Sequence, residues 1–219
     1  MRKLNEDAVL DRPDIGLFAV ADGMGGHDAG EIASRMVIDE IDPKQAYIAT
    51  PDAVGESLQR ANRRLVSYAT QTHAGTCGST VVALLIEPAR YTCLWAGDSR
   101  AYVLRDRRLM QLTRDHSAVQ ELLDAERIKP ADAARHPHAH IITRAVGAEA
   151  TLAVDVAEGA VQRGDTFFLC SDGVTNVLRD TELADLIGMP MIDDAADAIL
   201  DLALQRRAPD NVSLVLVRR

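Results

Sequence analysis

A chain of 219 residues with 47% hydrophobic and 26% charged side chains is long enough for one large domain with a full core. Its formal net charge of -9 argues against the basic face that nucleic acid or an anionic membrane requires, and it would repel a phosphorylated ligand unless bound cations reversed the sign locally. No segment approaches the ~18 consecutive apolar residues of a membrane span, MRKLNED lacks the apolar stretch of a signal peptide, and the cysteines are few and widely spaced, so a reducing cytoplasm is expected, without disulfides or zinc.

At the N-terminus Glu6 and Asp7 are adjacent carboxylates, and Arg2 lies four residues before Glu6, which in an extended strand puts both on one face. IGLFAVAD, residues 15–22, is apolar on both faces and reads as a central strand. In the DGMGGHDAGE stretch that follows, Gly23, Gly25 and Gly26 permit sharp bending and close approach of a carbonyl to an ion. Asp28 and Glu31 have capping-box spacing, which predicts a helix over 29–41. A second helix after Pro51 has Val54, Leu58, Ala61, Leu65 and Tyr68 on one face and Gln59, Arg60, Arg63 and Arg64 on the other.

The period then changes to that of strands. Residues 79–86, 91–96, 101–104 and a short piece near Met110 read as a continuous antiparallel meander. Helical character returns over 116–137, with Pro130 opening a second helix in a polar segment that looks like a small flap. Strands are predicted at 141–143, 152–156, 166–170 and 212–217, and helices at 181–187 and 193–206. Without steady strand–helix alternation the class is α+β.

Four aspartates sit where apolar runs meet turns: Asp22 ends LFAVAD, Asp98 ends CLWAGD, Asp172 ends FFLCSD and Asp210 opens DNVSLVLV. In an antiparallel sheet the end of one strand lies beside the start of the next, so all four can gather on one rim. Clustered carboxylates repel one another and resist desolvation unless a cation sits between them, and hard divalent ions suit oxygen ligands. Each aspartate alone reads as a turn or cap residue, so the weight lies in the set. The denser cluster Asp193, Asp194, Asp197 and Asp201 falls on the polar side of an amphipathic helix. His136, His138 and His140 read as a polar loop interrupted by Pro137, Arg100 as an ion-pair partner, and Ser99 and Ser171 lack an adjacent histidine to activate them.

NED, ADGMGGHDAGEIAS, GSTVVALL, AGDSRAYVLRDRRLMQLTRDHS, HPHAHIITRAVG, GDTFFLCSDGV and DNVSLVLV, in this order, make the chain resemble the bacterial type 2C (PPM) serine/threonine protein phosphatases over nearly its whole length. The resemblance implies an α/β/β/α four-layer sandwich of two antiparallel sheets, a single domain over 1–219 with a flap at about 114–140. It implies two Mn2+ or Mg2+ ions and a third, weaker one. Asp22 matches the ligand shared by the two core ions, Gly23 a carbonyl ligand, Asp172 and Asp210 ligands of the first ion, and Asp98, with Asp172, the holder of the third. Glu6 and Asp7 match residues that hold metal-bound waters, and Arg2 the arginine that grips the substrate phosphate. The implied reaction is attack of a metal-bridging hydroxide on phosphoserine or phosphothreonine in proteins, opposing a serine/threonine kinase, by a monomer.

Two departures stand out. Met24 occupies the position where eukaryotic members carry a proposed general-acid histidine, with His27 three residues on and a metal-bound water as the other donor. Met1 directly precedes Arg2, where relatives have a short strand, and an arginine at a free terminus is weakly held. A pseudophosphatase that only binds phosphoproteins would be marked by loss of a ligand aspartate, and none is lost.

Overall fold

A computed structural model describes residues 4–26, 29–42, 49–73, 75, 77–133 and 135–219. The chain opens with β1 (Asp7–Arg12), which pairs antiparallel with β2 (Leu17–Gly25). Two helices follow, α1 (Ala29–Ile41) and α2 (Pro51–Thr72), then β3 (Cys77–Ser79), β4 (Val81–Ile86), β5 (Arg90–Ala96), β6 (Arg100–Arg105) and β7 (Arg108–Gln111). Short helices α3 (Ala118–Asp124) and α4 (Pro130–Ala133) precede β8 (Asp155–Ala160) and β9 (Thr166–Cys170). The chain closes with α5 (Asp172–Thr175), α6 (Asp180–Ile187), α7 (Ile192–Gln205) and β10 (Leu214–Arg218).

Two antiparallel sheets result. One runs β1-β2-β4-β5-β8, with β3 pairing the far end of β2, and the other β10-β9-β6-β7. The period-2 alternation of side chains builds four layers from them. On β2 the odd positions Leu17, Ala19 and Ala21 pack under Ala33 and Val37 of α1 and Leu58 and Leu65 of α2. The even positions Phe18 and Val20 face the other way and meet Val103, Phe167 and Leu169 of the second sheet. The outer face of that sheet, with Tyr102 and Phe168, is covered by Leu183, Ile187, Ile199 and Ala203 of α6 and α7. This is the expected α/β/β/α sandwich, and both faces of β2 are buried as its composition required.

The first helix has the predicted bounds, although the Asp28 half of its capping box lies outside the described residues. On α2, Thr50 caps the N-terminus by accepting from the Ala53 N–H at 3.2 Å, and Pro51 occupies the first turn. Gln59, expected among the arginines of the solvent face, instead donates to the Leu152 carbonyl at 2.9 Å.

The strand region differs most from expectation. The predicted continuous meander is divided: β4 and β5 pair in the first sheet, β6 and β7 in the second, and residues 97–99 carry the chain across. The 79–86 strand breaks at Thr80 into β3 and β4. The β6–β7 hairpin turns through Asp106 and Arg107 with φ of 49 and 62, both left-handed, as a turn matched to strand twist requires. Residues 141–143 form no strand, only a single bridge between Ser117 and Ile142. The 152–156 prediction is displaced to β8, whose alternation of half-buried and exposed positions marks it as an edge. The 212–217 prediction becomes Leu214–Arg218, and neither β1 nor the one-turn α5 was anticipated. No helix among the described residues is long and apolar enough to cross a membrane.

Candidate metal centre

The register of β1 on β2 sets Asp7 directly opposite Asp22. Because Asp22 continues the even positions of β2, both face the space between the sheets. From the second sheet, β9 ends at Cys170, and Asp172 opens α5 with Ser171 at its N-cap. The loop before β10 brings Asp210 alongside, since the Ser171 N–H donates to the Ser213 carbonyl at 3.0 Å. Asn211 ties this loop to the N-terminal segment: its side chain accepts from the Glu6 N–H at 3.0 Å and donates to the Leu4 carbonyl at 3.2 Å. Asp98 comes from the crossover between sheets. That loop is gripped by His116, which donates its N–H to the Gly97 carbonyl at 2.9 Å and accepts from the Gly97 N–H on Nδ1 at 3.1 Å. With Nδ1 an acceptor, Nε2 carries the proton and faces Asp155 at 3.2 Å.

The result is a cavity of about 480 Å3 whose lining includes Glu6, Asp22, Gly23, Asp98, Asp172 and Asp210. All four aspartates of the sequence rim therefore meet. Asp7 is the exception within the wider set. Glu6 lines the cavity, whereas Asp7 is buried beside Asp22 and accepts from the Ser171 hydroxyl at 2.8 Å. Asp22 and Gly23 lie inside β2 rather than in the turn after it, because the strand runs on to Gly25. Arg2 and His27 lie outside the described residues.

Ser171 and Ser99 are both buried, and their hydroxyls are engaged with Asp7 and with Thr80 respectively. Arg100 is locked to Asp115 at 2.9 and 2.6 Å, the ion pair expected of it. The three alternating histidines separate: His136 and His138 contact each other with ring centres 5.3 Å apart, whereas His140 lines the cavity. Reading His140 as part of an inert polar loop missed this, as it missed Asn176, whose amide donates to Asp172 at 3.0 Å from one turn further along. Asn176 had a visible signal, since a side chain four residues after an aspartate shares its helical face. His140 had none, because no regular element fixes its direction. The acidic run on α7 is exposed opposite buried Ala195, Ile199 and Ala203.

Electrostatics make the rim costly as it stands. Burial, and then repulsion from Asp7, Asp172, Asp210 and Asp98, pushes the Asp22 carboxyl up to about 9. Burial raises Asp98 to about 7 and Asp7 to about 6, and Asp172 is also raised by burial and by Asp210. One carboxylate oxygen each of Asp7 and Asp172 is buried without a hydrogen-bond partner. Burying such acceptors unpaired is unfavourable, and a cation with its waters would satisfy them. Among the described residues no three His, Cys, Asp or Glu side chains converge to hold an ion unaided, so the donors ring a space instead of closing on a point. That suits hard cations that keep part of their hydration and take carbonyl oxygens as well.

A pH dependence follows from these shifts. A carboxyl whose folded value lies above its unfolded one binds more protons in the folded state, so stability falls as pH rises between the two values. For Asp7, Asp98 and Asp22 that window spans from the ordinary carboxylate value of 3.8 to about 6, 7 and 9. A cation must displace those protons to bind. The rise in thermal midpoint on adding Mn2+ is therefore expected to be small at pH 6 and to grow steadily to pH 8.5, measured by calorimetry at fixed ion concentration. A rise independent of pH would contradict proton displacement.

A cavity ringed by carboxylates at one end of a two-sheet sandwich defines a candidate centre for hard divalent cations. Comparison with known proteins agrees. The family model described as protein phosphatase 2C matches residues 2–212. The chain belongs to the protein phosphatase 2C family. It is 35% identical over 212 residues to the serine/threonine phosphatase stp of Listeria welshimeri, covering 93% of this chain and 84% of the relative. It superposes on PppA of Pseudomonas aeruginosa, described as a key regulatory component of T6SS, with a TM-score of 0.91 at 40% identity, covering 99% and 92% of the two chains. It superposes on the catalytic domain of the serine/threonine protein phosphatase PstP, crystallised with two manganese ions, with a TM-score of 0.89 at 31% identity and the same coverage.

Proposed function

We propose that the protein is a metal-dependent protein phosphatase that hydrolyses phosphoserine and phosphothreonine in proteins, working in the cytoplasm as a monomer against a serine/threonine kinase. The observation that carries this reading is the convergence of Asp22, Asp98, Asp172 and Asp210 on one cavity, within a family of protein phosphatases. Asp22, the Gly23 carbonyl, Asp172 and Asp210 would hold two Mn2+ or Mg2+ ions, and Asp98 with Asp172 a third, weaker one. When bound, the ions lower the pKa of water in the cavity and offset the charge that grows on the phosphoryl oxygens.

The chain's own residues do the rest. Glu6 lines the cavity and Asp7 sits beneath it, in position to order water around the ligand set, Asp7 through its bond from Ser171. Arg2 is assigned to grip the phosphate. Neither Ser99 nor Ser171 is free to act as nucleophile, so water attacks phosphorus directly. Met24 lines the cavity and has no proton to give, so the departing alkoxide takes its proton from another group, His27 or water. Residues 1–219 act as one catalytic domain, with 114–140 as a flap beside the cleft.

With Mn2+ the intact protein is expected to hydrolyse p-nitrophenyl phosphate and a phosphothreonine peptide, and EDTA to stop both. Asp172→Asn should lower kcat by at least ~100-fold, in line with removal of one charge-stabilising group. Full activity in that variant would remove Asp172 from the ligand set. Binding of the phosphopeptide without turnover would make the protein a pseudophosphatase.

A further inference from the structure

A second cavity of about 350 Å3 adjoins the first and shares Asp98, His140, Asp172 and Asn176 with it. Its far wall is made by Val119 and Leu123 of α3 and Pro130 and Ala133 of α4. The polar groups there are already committed. Arg100 on the floor is paired with Asp115 and lies 3.2 Å from the Tyr102 hydroxyl, and Gln120 donates to Asp124 at 2.7 Å. A group entering this end meets aliphatic carbon and no unpaired charge, whereas the shared end is the acidic rim.

We infer that this second cavity is a substrate subsite, taking the side chain of a residue within two positions of the phosphorylated serine or threonine and favouring an aliphatic one over an acidic one. The inference rests on the protein-phosphatase reading and adds to it the class of peptide. Three features select a peptide segment as occupant. The cavity shares a wall of Asp98, His140, Asp172 and Asn176 with the one that receives the phosphate, so a residue close to the phosphoresidue in the chain is the nearest occupant. Its size is at the lower end of ligand pockets, room for roughly one or two side chains of an extended segment. Side chains on one face of an extended chain recur about every 7 Å, so a residue two positions from the phosphoresidue stands next to it on the same face. Selection against an acidic side chain comes from burial against Leu123 and Ala133, which strips its hydration.

The test compares kcat/KM for phosphothreonine peptides carrying leucine or aspartate at the flanking positions, with p-nitrophenyl phosphate as the reference that fills only the first cavity. The wild type should favour the leucine peptide by ~10-fold or more, the discrimination typical of an apolar pocket. Ala133→Trp, which fills the cavity from its outer wall, should bring that ratio close to one and lose more on the peptide than on p-nitrophenyl phosphate. Leu123→Arg, which places a cation in the wall, should move the preference toward the aspartate peptide. The inference is overturned if both variants keep the wild-type ratio, or if peptide and p-nitrophenyl phosphate activities fall in parallel. If the wild type turns over no p-nitrophenyl phosphate with Mn2+, the phosphatase reading itself fails and the subsite with it.

Discussion

Asparagine in place of Asp22 is expected to raise the thermal midpoint of the metal-free protein at pH 7 while cutting Mn2+-dependent turnover by about 1,000-fold. Both effects come from the same carboxylate. Its value of about 9, against 3.8 for an ordinary aspartate, means that the folded protein keeps a proton there at neutral pH. Carrying that proton across the gap to pH 7 costs on the order of 2–4 kcal/mol, the lower figure allowing for repulsion shared with the other aspartates. An amide of the same shape removes the cost. For a chain of this size each kcal/mol moves the midpoint by about 2–4 °C, so a gain of roughly 5–10 °C is expected. The backbone around the site should be undisturbed, because Asp22 is held by main-chain bonds to Thr80, at 3.1 Å to the hydroxyl and 2.8 Å from the N–H. The lost activity reflects a neutral oxygen in place of a carboxylate of the proposed ligand set. Calorimetry without metal and steady-state kinetics with Mn2+ read the two arms. A lower midpoint would show that Asp22 is stabilised by protein groups and not strained by its neighbours, and retained activity would remove it from the ligand set.

This opposition of stability and activity also explains how much of the site was legible. The four aspartates could be picked out because each stands at the edge of an apolar run, a signal that survives errors in strand pairing. Helices α1 and α2 were legible because 3.6-residue periodicity and N-terminal signals agreed. The division of the meander between two sheets was not, since β4, β5 and β6 are equally apolar and nothing local tells a hairpin from a crossover. β8 was misplaced because DVAEGA has too little hydrophobic contrast to mark its ends. The Glu6–Asp7 pair looked like two equivalent donors, and only the packing shows that Glu6 lines the cavity while Asp7 is buried beside Asp22. The Asp-Gly steps were legible as important, and the structure adds a reason that the sequence did not show.

That reason sets the second large effect: Gly173→Ala is expected to cost at least ~3 kcal/mol of stability and to abolish Mn2+ binding by the protein that remains folded. A Cβ on Gly173 would lie 1.9 Å from the Asn211 carbonyl oxygen, a backbone atom that cannot swing aside. On the other sheet a Cβ on Gly23 would lie 1.9 Å from the Gly30 carbonyl oxygen and 2.8 Å from that of Glu6. Neither glycine has a left-handed backbone, so its role is to let another main chain pass at contact distance rather than to bend its own. At Gly173 the loop that would be pushed away carries Asp210, and Asn211 also anchors the segment holding Glu6. Displacing it separates Asp172 from Asp210, which is why metal binding should fail together with stability. Gly23→Ala should behave alike by pressing β2 away from α1. Gly55, in the interior of α2 with open space around its Cβ position, supplies the contrast: Gly55→Ala should gain about 0.5–1 kcal/mol through helix propensity. Thermal melts of the three variants with and without Mn2+ decide the matter. If Gly173→Ala melts like the wild type, the close approach of the two main chains is not what holds the aspartates together.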